Sequence, residues 1–234
     1  RCVMPAALAT YRLQLTCDFG FEQAAATAPY LKALGVTHVY ASPFTRARSG
    51  STHGYDVVDH TAFNAELGGE AGFETFSAAL KAQDLGLIHR DLKPSNIMVN
   101  WLPSGRFQGK VVDFGLAKFS PKTSAESAEQ SDAIFGSIFY MAPELFERGP
   151  IDSRMDMYAI GCVYYFALTG HSPFQGETGP QVMAPHLEHR VIPLNQVRPD
   201  IPRWACDWVM WHINRYPHER PENARESLMS FIQL

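Results

Sequence analysis

Four polar side chains in one region of this chain could act together. The segment HRDLKPSN, His89 to Asn96, offers a carboxylate at Asp91, an ammonium at Lys93 and an amide oxygen at Asn96. A second carboxylate, Asp113, opens the triplet DFG (Asp113–Gly115), and the triplet APE follows at Ala142–Glu144. An amide oxygen and a carboxylate are hard donors that suit Mg2+. A carboxylate within hydrogen-bond reach of a hydroxyl can accept its proton. An ammonium beside such oxygens can neutralise negative charge as it develops, and this needs positioning more than covalent help. Each residue alone reads as a solvated loop side chain. The order and spacing of the three motifs carry the specificity.

The elements that must position them differ between the front and the back of the chain. In front, ATYRLQL (Ala9–Leu15) reads as a strand with Tyr11, Leu13 and Leu15 on one face. FEQAAATAPYLKALG follows as a helix with the stripe Ala25, Ala28, Leu31 and Leu34, and Gly35 is its stop. VTHVYASP (Val36–Pro43) is a second strand. The stretch Arg46–Gly69 reads as a long loop, and Glu70–Gly86 as a helix with Phe73, Phe76 and Leu80 at helical spacing. This order opens an α/β fold. Behind Ile88, DMYAIGCVYYFALTG is an apolar helix ended by Gly170 and Pro173. WACDWVMWHIN (Trp204–Asn214) has helical spacing, with Trp208 and Trp211 as core packers. A well-formed core is expected around Met155–Leu168 and Trp204–Phe231, and looser packing in front.

From Ile88 to Leu234 the motifs resemble the large, C-terminal lobe of a eukaryotic-type serine/threonine protein kinase. The resemblance implies Asp91 as catalytic base and Lys93 as the charge on the transferring phosphate. Lysine at that place in DLKPSN is the serine/threonine-type pattern. Asn96 and Asp113 would hold Mg2+ on ATP, and Arg90 would read a phosphate on the activation segment. Candidate phosphosites there are Thr123, Ser124, Ser127 and Ser131. Ser137, in GSIFYMAPE, would contact the substrate region. Glu144 would pair with Arg220, and Asp156 would brace the catalytic-loop backbone; these three are structural. His89 is expected to pack and bond backbone. The partners implied are ATP and a protein carrying Ser or Thr.

Such a lobe follows a small ATP-gripping lobe, and residues before His89 carry no G-x-G-x-x-G loop, no V-A-I-K strand and no helix glutamate to pair with it. Instead ATYRLQL, PYLKALGVTHVYASP, GSTHGYDVVDH and NAELGGEAGF resemble the start of a maltooligosyltrehalose synthase, an enzyme of the α-amylase superfamily. That family uses a (β/α)8 barrel of about 250 residues and eight strands. HGYD (His53–Asp56) is its most specific stretch here and implies proximity to a sugar. Glycoside chemistry needs two opposed carboxylates, and Asp56, Asp59 and Glu66 read as loop solubilisers or turn caps. The two patterns meet at Gly86-Leu87-Ile88. The fold class expected is α+β: a partial (β/α)-barrel fragment over residues 1–87, then a mainly helical kinase C-lobe over 88–234, with no kinase N-lobe. Loss of even one preorganised charge-stabilising group costs about 10²–10³ in rate, so the truncated chain is expected to be inactive. Two alternatives remain open: a non-catalytic kinase-like binding module, and a remnant of an α-glucan-acting enzyme.

Composition bounds the reading. The 234 residues are 46% hydrophobic and 19% charged, with a net charge of −4 and the two signs interspersed. No basic stripe points to nucleic acid. Cys2, Cys17, Cys162 and Cys206 form no CxxC pair and read as reduced thiols of a cytoplasmic protein. His186, His189, His212 and His218 lack metal-ligand spacing with cysteine. The longest apolar run, Met157–Leu168, is too short to cross a bilayer. No secretory signal is evident, and the chain begins at Arg1 rather than Met, which leaves the native start outside the reading.

Overall fold

The computed structural model describes residues 9–112 and 136–233. Helix and sheet are mixed. The described residues divide into two compact units: 9–90 with 96–112 and 150–152, and 91–95 with 136–149 and 153–233.

The first unit runs, in chain order, through β1 (Thr10–Leu13), α1 (Phe21–Ala33), β2 (His38–Ala41), β3 (Thr45–Ala47), β4 (Val57–Phe63), α2 (Gly69–Ala82), β5 (Gly86–Leu87), β6 (Ile97–Trp101) and β7 (Phe107–Val111). β1, β2 and β5 form a parallel sheet in that order. Parallel neighbours need a crossover, and α1 supplies it between β1 and β2. α1 starts where the Gly20 N–H is held by Gln23 Oε1 at 3.1 Å. It ends in a Schellman turn: Gly35, at φ +81°, donates to the Lys32 carbonyl and Val36 donates to that of Leu31.

Phe21, Ala24, Ala28 and Leu31 of α1 are buried, with Phe76 and Leu80 of α2, Val39 of β2 and Leu13 of β1. α1 packs on α2, and α2 on β4 and β5. Each large side chain so buried contributes about 1.5–3 kcal/mol. The loose front expected from sequence is therefore corrected: two helices close a core over three short strands. Leu34 and Tyr11, expected on the buried faces, are instead exposed at a helix cap and at the start of an edge strand.

The stretch read as one long loop, Arg46–Gly69, contains nearly all of the antiparallel pair β3–β4. Register shifts on both sides of Arg46 break the alternation that would have revealed it. The hairpin β6–β7 was also not read from sequence. Its register runs from Ile97 opposite Val111 to Trp101 opposite Phe107, whose rings meet edge-on at 4.4 Å.

The second unit contains α3 (Pro143–Phe146), α4 (Arg154–Thr169), α5 (Gly179–Glu188), α6 (Leu194–Val197), α7 (Arg203–His212) and α8 (Ala224–Gln233). α4 is central, with Met155, Tyr158, Cys162 and Tyr165 buried. It packs on α7, and Gly161 makes the close approach possible: a Cβ there would lie 2.5 Å from His212 Cβ. The inner stripe of α7 is Cys206, Val209 and His212. Trp208 is half-buried and donates to Ser230 Oγ at 3.0 Å. Trp204, Leu228, Met229, Phe231 and Ile232 are exposed, so the expected core stops short of α8's outer face. No helix among the described residues is long and apolar enough to cross a membrane.

Candidate functional site

In the second unit, the ammonium of Lys93 lies 3.0 Å from Asp91 Oδ2 and donates to Ser137 Oγ at 2.8 Å. The Asp91 and Lys93 side chains are 10% and 17% exposed, and Ser137 is buried. The intervening Leu92 is buried and anchors the loop, so that the residues on either side of it are held on a fixed backbone. Asp91 and Lys93 are two apart and would diverge on a helix. Here the loop turns them together, and the cation joins the acid to a hydroxyl from 44 residues away.

Glu144 and Arg220 are also brought together. Two parallel bonds of 2.7 and 2.9 Å join them. Asp156 is buried in the first turn of α4. The Tyr158 hydroxyl meets His186 Nδ1 at 2.7 Å, and both side chains are buried. Burial raises the Tyr158 phenol well above its usual range and pushes His186 down to about 3. Tyr158 is therefore the donor, and the proton of the neutral imidazole sits on Nε2, which has no partner among the described residues. Nothing in the local sequence pairs these two residues.

In the first unit, buried His89 bonds the Val112 carbonyl through Nε2 at 2.9 Å, a backbone contact of the kind expected. Arg90 has φ +72° and places its guanidinium 4.3 Å from the centre of the Tyr40 ring. Sequence gave no signal of that stack. Asn96 is buried, and its carbonyl accepts from the Val112 N–H at 2.9 Å. Asp113, Thr123, Ser124, Ser127 and Ser131 lie outside the described residues. Among the described residues no group of three or more His, Cys, Asp or Glu could hold a metal. Cys17, Cys162 and Cys206 are free thiols.

The three carboxylates around HGYD are spent on hydrogen bonds within this segment. Ser51 Oγ donates to Asp56 and accepts from the Gly54 N–H at 3.0 Å. Gly54 has φ +77°, and a Cβ there would sit 2.6 Å from the Pro43 carbonyl oxygen. Asp59 accepts from the Thr61 N–H and hydroxyl at 2.8 and 2.6 Å, and Glu66 from the Ser49 hydroxyl at 2.8 Å. These hydrogen bonds hold Asp56 and Asp59 below the usual carboxylate range.

The sequence pattern of the protein kinase domain matches residues 72–231. The chain belongs to the protein kinase family. A probable serine/threonine-protein kinase of Clostridium acetobutylicum is 34% identical over 143 residues, covering 61% of this kinase chain and 21% of that protein. Serine/threonine-protein kinase PknB of Mycobacterium tuberculosis is 40% identical over 149 residues, covering 64% and 23%. The chain thus spans about a fifth of the length of these curated relatives. The catalytic-domain pattern of α-amylase matches residues 25–92, so the two patterns overlap over 72–92. The maltooligosyltrehalose synthase of Arthrobacter ramosus is 43% identical over 36% of this chain and 11% of that one, with a TM-score of 0.34. The Rad53 kinase domain in its complex with AMPPNP is 28% identical over 63% of this chain and 51% of that one, with a TM-score of 0.46.

Proposed function

We propose that residues 88–234 are the catalytic lobe of a serine/threonine protein kinase, joined to an opening fragment of an α-amylase-type barrel over residues 1–87. The observation that carries this reading is the bridge from Lys93 to Asp91 and Ser137. A base that must take a proton from an incoming hydroxyl needs a fixed orientation, and an ion pair at 3.0 Å supplies it. The same ammonium can meet negative charge as a phosphate arrives.

In this reading Asp91 Oδ accepts the proton of a Ser or Thr hydroxyl on a protein substrate as that oxygen bonds phosphorus. Ser137 steadies Lys93 at the substrate side. Asn96 and Asp113 would hold the metal; their amide and carboxylate oxygens are the donor types that Mg2+ prefers. When bound, Mg-ATP would supply the phosphoryl group, its β,γ P–O bond breaking as ADP leaves. Arg90 is the reader of an activating phosphate, and Glu144, Arg220 and Asp156 keep the lobe rigid.

The chain alone is inactive in this proposal. A parallel β1-β2-β5 sheet with a helical crossover supports the barrel reading of the front, and it offers no lysine clamp for nucleotide phosphates. Replacing residues 1–71 with the small lobe of the Mycobacterium tuberculosis relative tests both halves. The hybrid should phosphorylate Ser or Thr in a protein, lose that on Asp91→Asn, and gain thermal stability from Mg-ATP by mass action. The unaltered chain should do neither, and it should not be stabilised by a malto-oligosaccharide. A folded hybrid without phosphotransfer would leave the non-catalytic module as the better reading.

A further inference from the structure

The first unit holds a half-open cavity of about 170 Å³ whose walls include Phe44, Phe63, Phe73, Thr61, Lys110 and Val112. The aromatic rings are arranged as a continuous wall. Phe44 and Phe63 are stacked at 6.0 Å, and Phe63 and Phe73 at 4.9 Å. Phe44 is buried, whereas Phe63 and Phe73 are half-buried and line the cavity. Among the described residues that line it, Lys110 is the permanent cation, beside His60. Lys110 donates to the Thr61 carbonyl and lies 5.5 Å from the centre of the Phe63 ring. Among the described residues no carboxylate pairs with it. An ammonium has three donors, so two remain for a ligand.

Size and charge together restrict the occupant. An apolar cavity of about 150 Å³ admits a benzene ring. Sites for drug-sized ligands are roughly 300–1,000 Å³, so this cavity is too small for a nucleotide or an oligosaccharide. A ring would find edge and face contacts on Phe63 and Phe73. A neutral arene would make no use of the Lys110 ammonium, and a second cation would be repelled.

We propose that this cavity binds a one-ring aromatic carboxylate, with the arene against Phe63 and Phe73 and the carboxylate on the Lys110 ammonium. The inference is independent of phosphoryl transfer, because every residue that it uses lies in the first unit and none is placed in the catalytic set.

Titration of the whole chain with benzoate, benzamide, benzylamine and acetate tests it, read by calorimetry and by shifts of the phenylalanine ring signals. Benzoate should saturate with a Kd on the order of 0.1–1 mM. Benzamide should bind about tenfold more weakly, benzylamine more weakly still, and acetate should not saturate. Lys110→Met keeps the apolar stem and should remove about tenfold of the benzoate affinity while leaving benzamide unchanged. The proposal is overturned if benzoate fails to saturate, if benzamide equals it, or if acetate matches it. Those comparisons hold in the unaltered chain, so a variant that fails to fold does not shelter the idea.

Discussion

Arg220 places all five of its N–H groups, two of them on Glu144. Its Nε donates to the Asn214 carbonyl at 2.6 Å, and the two terminal nitrogens each bond one Glu144 oxygen and one main-chain carbonyl, of Arg154 and of Arg215. The guanidinium also lies 4.6 Å from the centre of the Tyr158 ring. Removing one member of such a buried pair strands the other. Glu144→Gln should cost about 3–5 kcal/mol, read as a lower urea midpoint. Arg220→Lys should cost a comparable amount, because three donors cannot replace five. A loss below about 1 kcal/mol in both would show that the pair is merely tolerated.

Gly161→Ala should destabilise the second unit although alanine favours helix. The new methyl would stand 2.5 Å from His212 Cβ and 3.0 Å from Ile213 Cγ1, so α4 and α7 would have to part. Overpacking of this kind costs about 1–3 kcal/mol. A thermal transition at or above that of the parent chain would mean that the helices adjust freely.

Stability should fall with acid below pH 6.5. His186 is held neutral by burial, with its pKa down to about 3 against an ordinary 6.5. Between those values the unfolded chain binds a proton that the folded chain refuses. The contribution is complete above 6.5 and is lost as pH falls towards 3. One such group gives a slope of about 1.4 kcal/mol per pH unit. Burial lowers His212 as well, with the same sign. His186→Phe should reduce the proton uptake on unfolding by about one in this window, measured from unfolding curves across pH. An unchanged slope would place the titrating group elsewhere.

In the hybrid carrying a small lobe, Asp91→Asn should lower kcat by about 10²–10⁴ and Lys93→Met by about 10²–10³, with KM for the protein substrate less affected. Ser137→Ala should cost less than either, because it removes one of Lys93's two partners and leaves the 3.0 Å contact to Asp91. Equal rates for parent and Asp91→Asn would remove Asp91 from the role of base.

Much of this was legible in the sequence because the signals are local. The spacing of His89 to Asn96 marks one loop, the stripes of α1 and α2 mark helices whose buried residues fall at three- and four-residue intervals, and the long apolar run of α4 marks a helix buried on most of its sides. What escaped depends on distant partners. β3 and β4 pair through an irregular register, and no composition window shows it. Arg90 meets Tyr40, Tyr158 meets His186, and Lys110 meets Thr61 only once the chain has folded. The apolar residues of α8 looked like core because hydrophobicity says what can be buried and not what finds a partner.

The doubly matched stretch 72–92 includes most of α2 and all of β5, and both depend on phase. One residue added within α2 would rotate everything beyond it by about 100°, turning Leu80 away from Phe76's side. One residue added at Gly86–Leu87 would exchange the faces of the strand. The two sequence patterns can therefore share these residues at one setting of the frame alone, since a shift of one position would take Phe76, Leu80 and Leu87 off the core that they line.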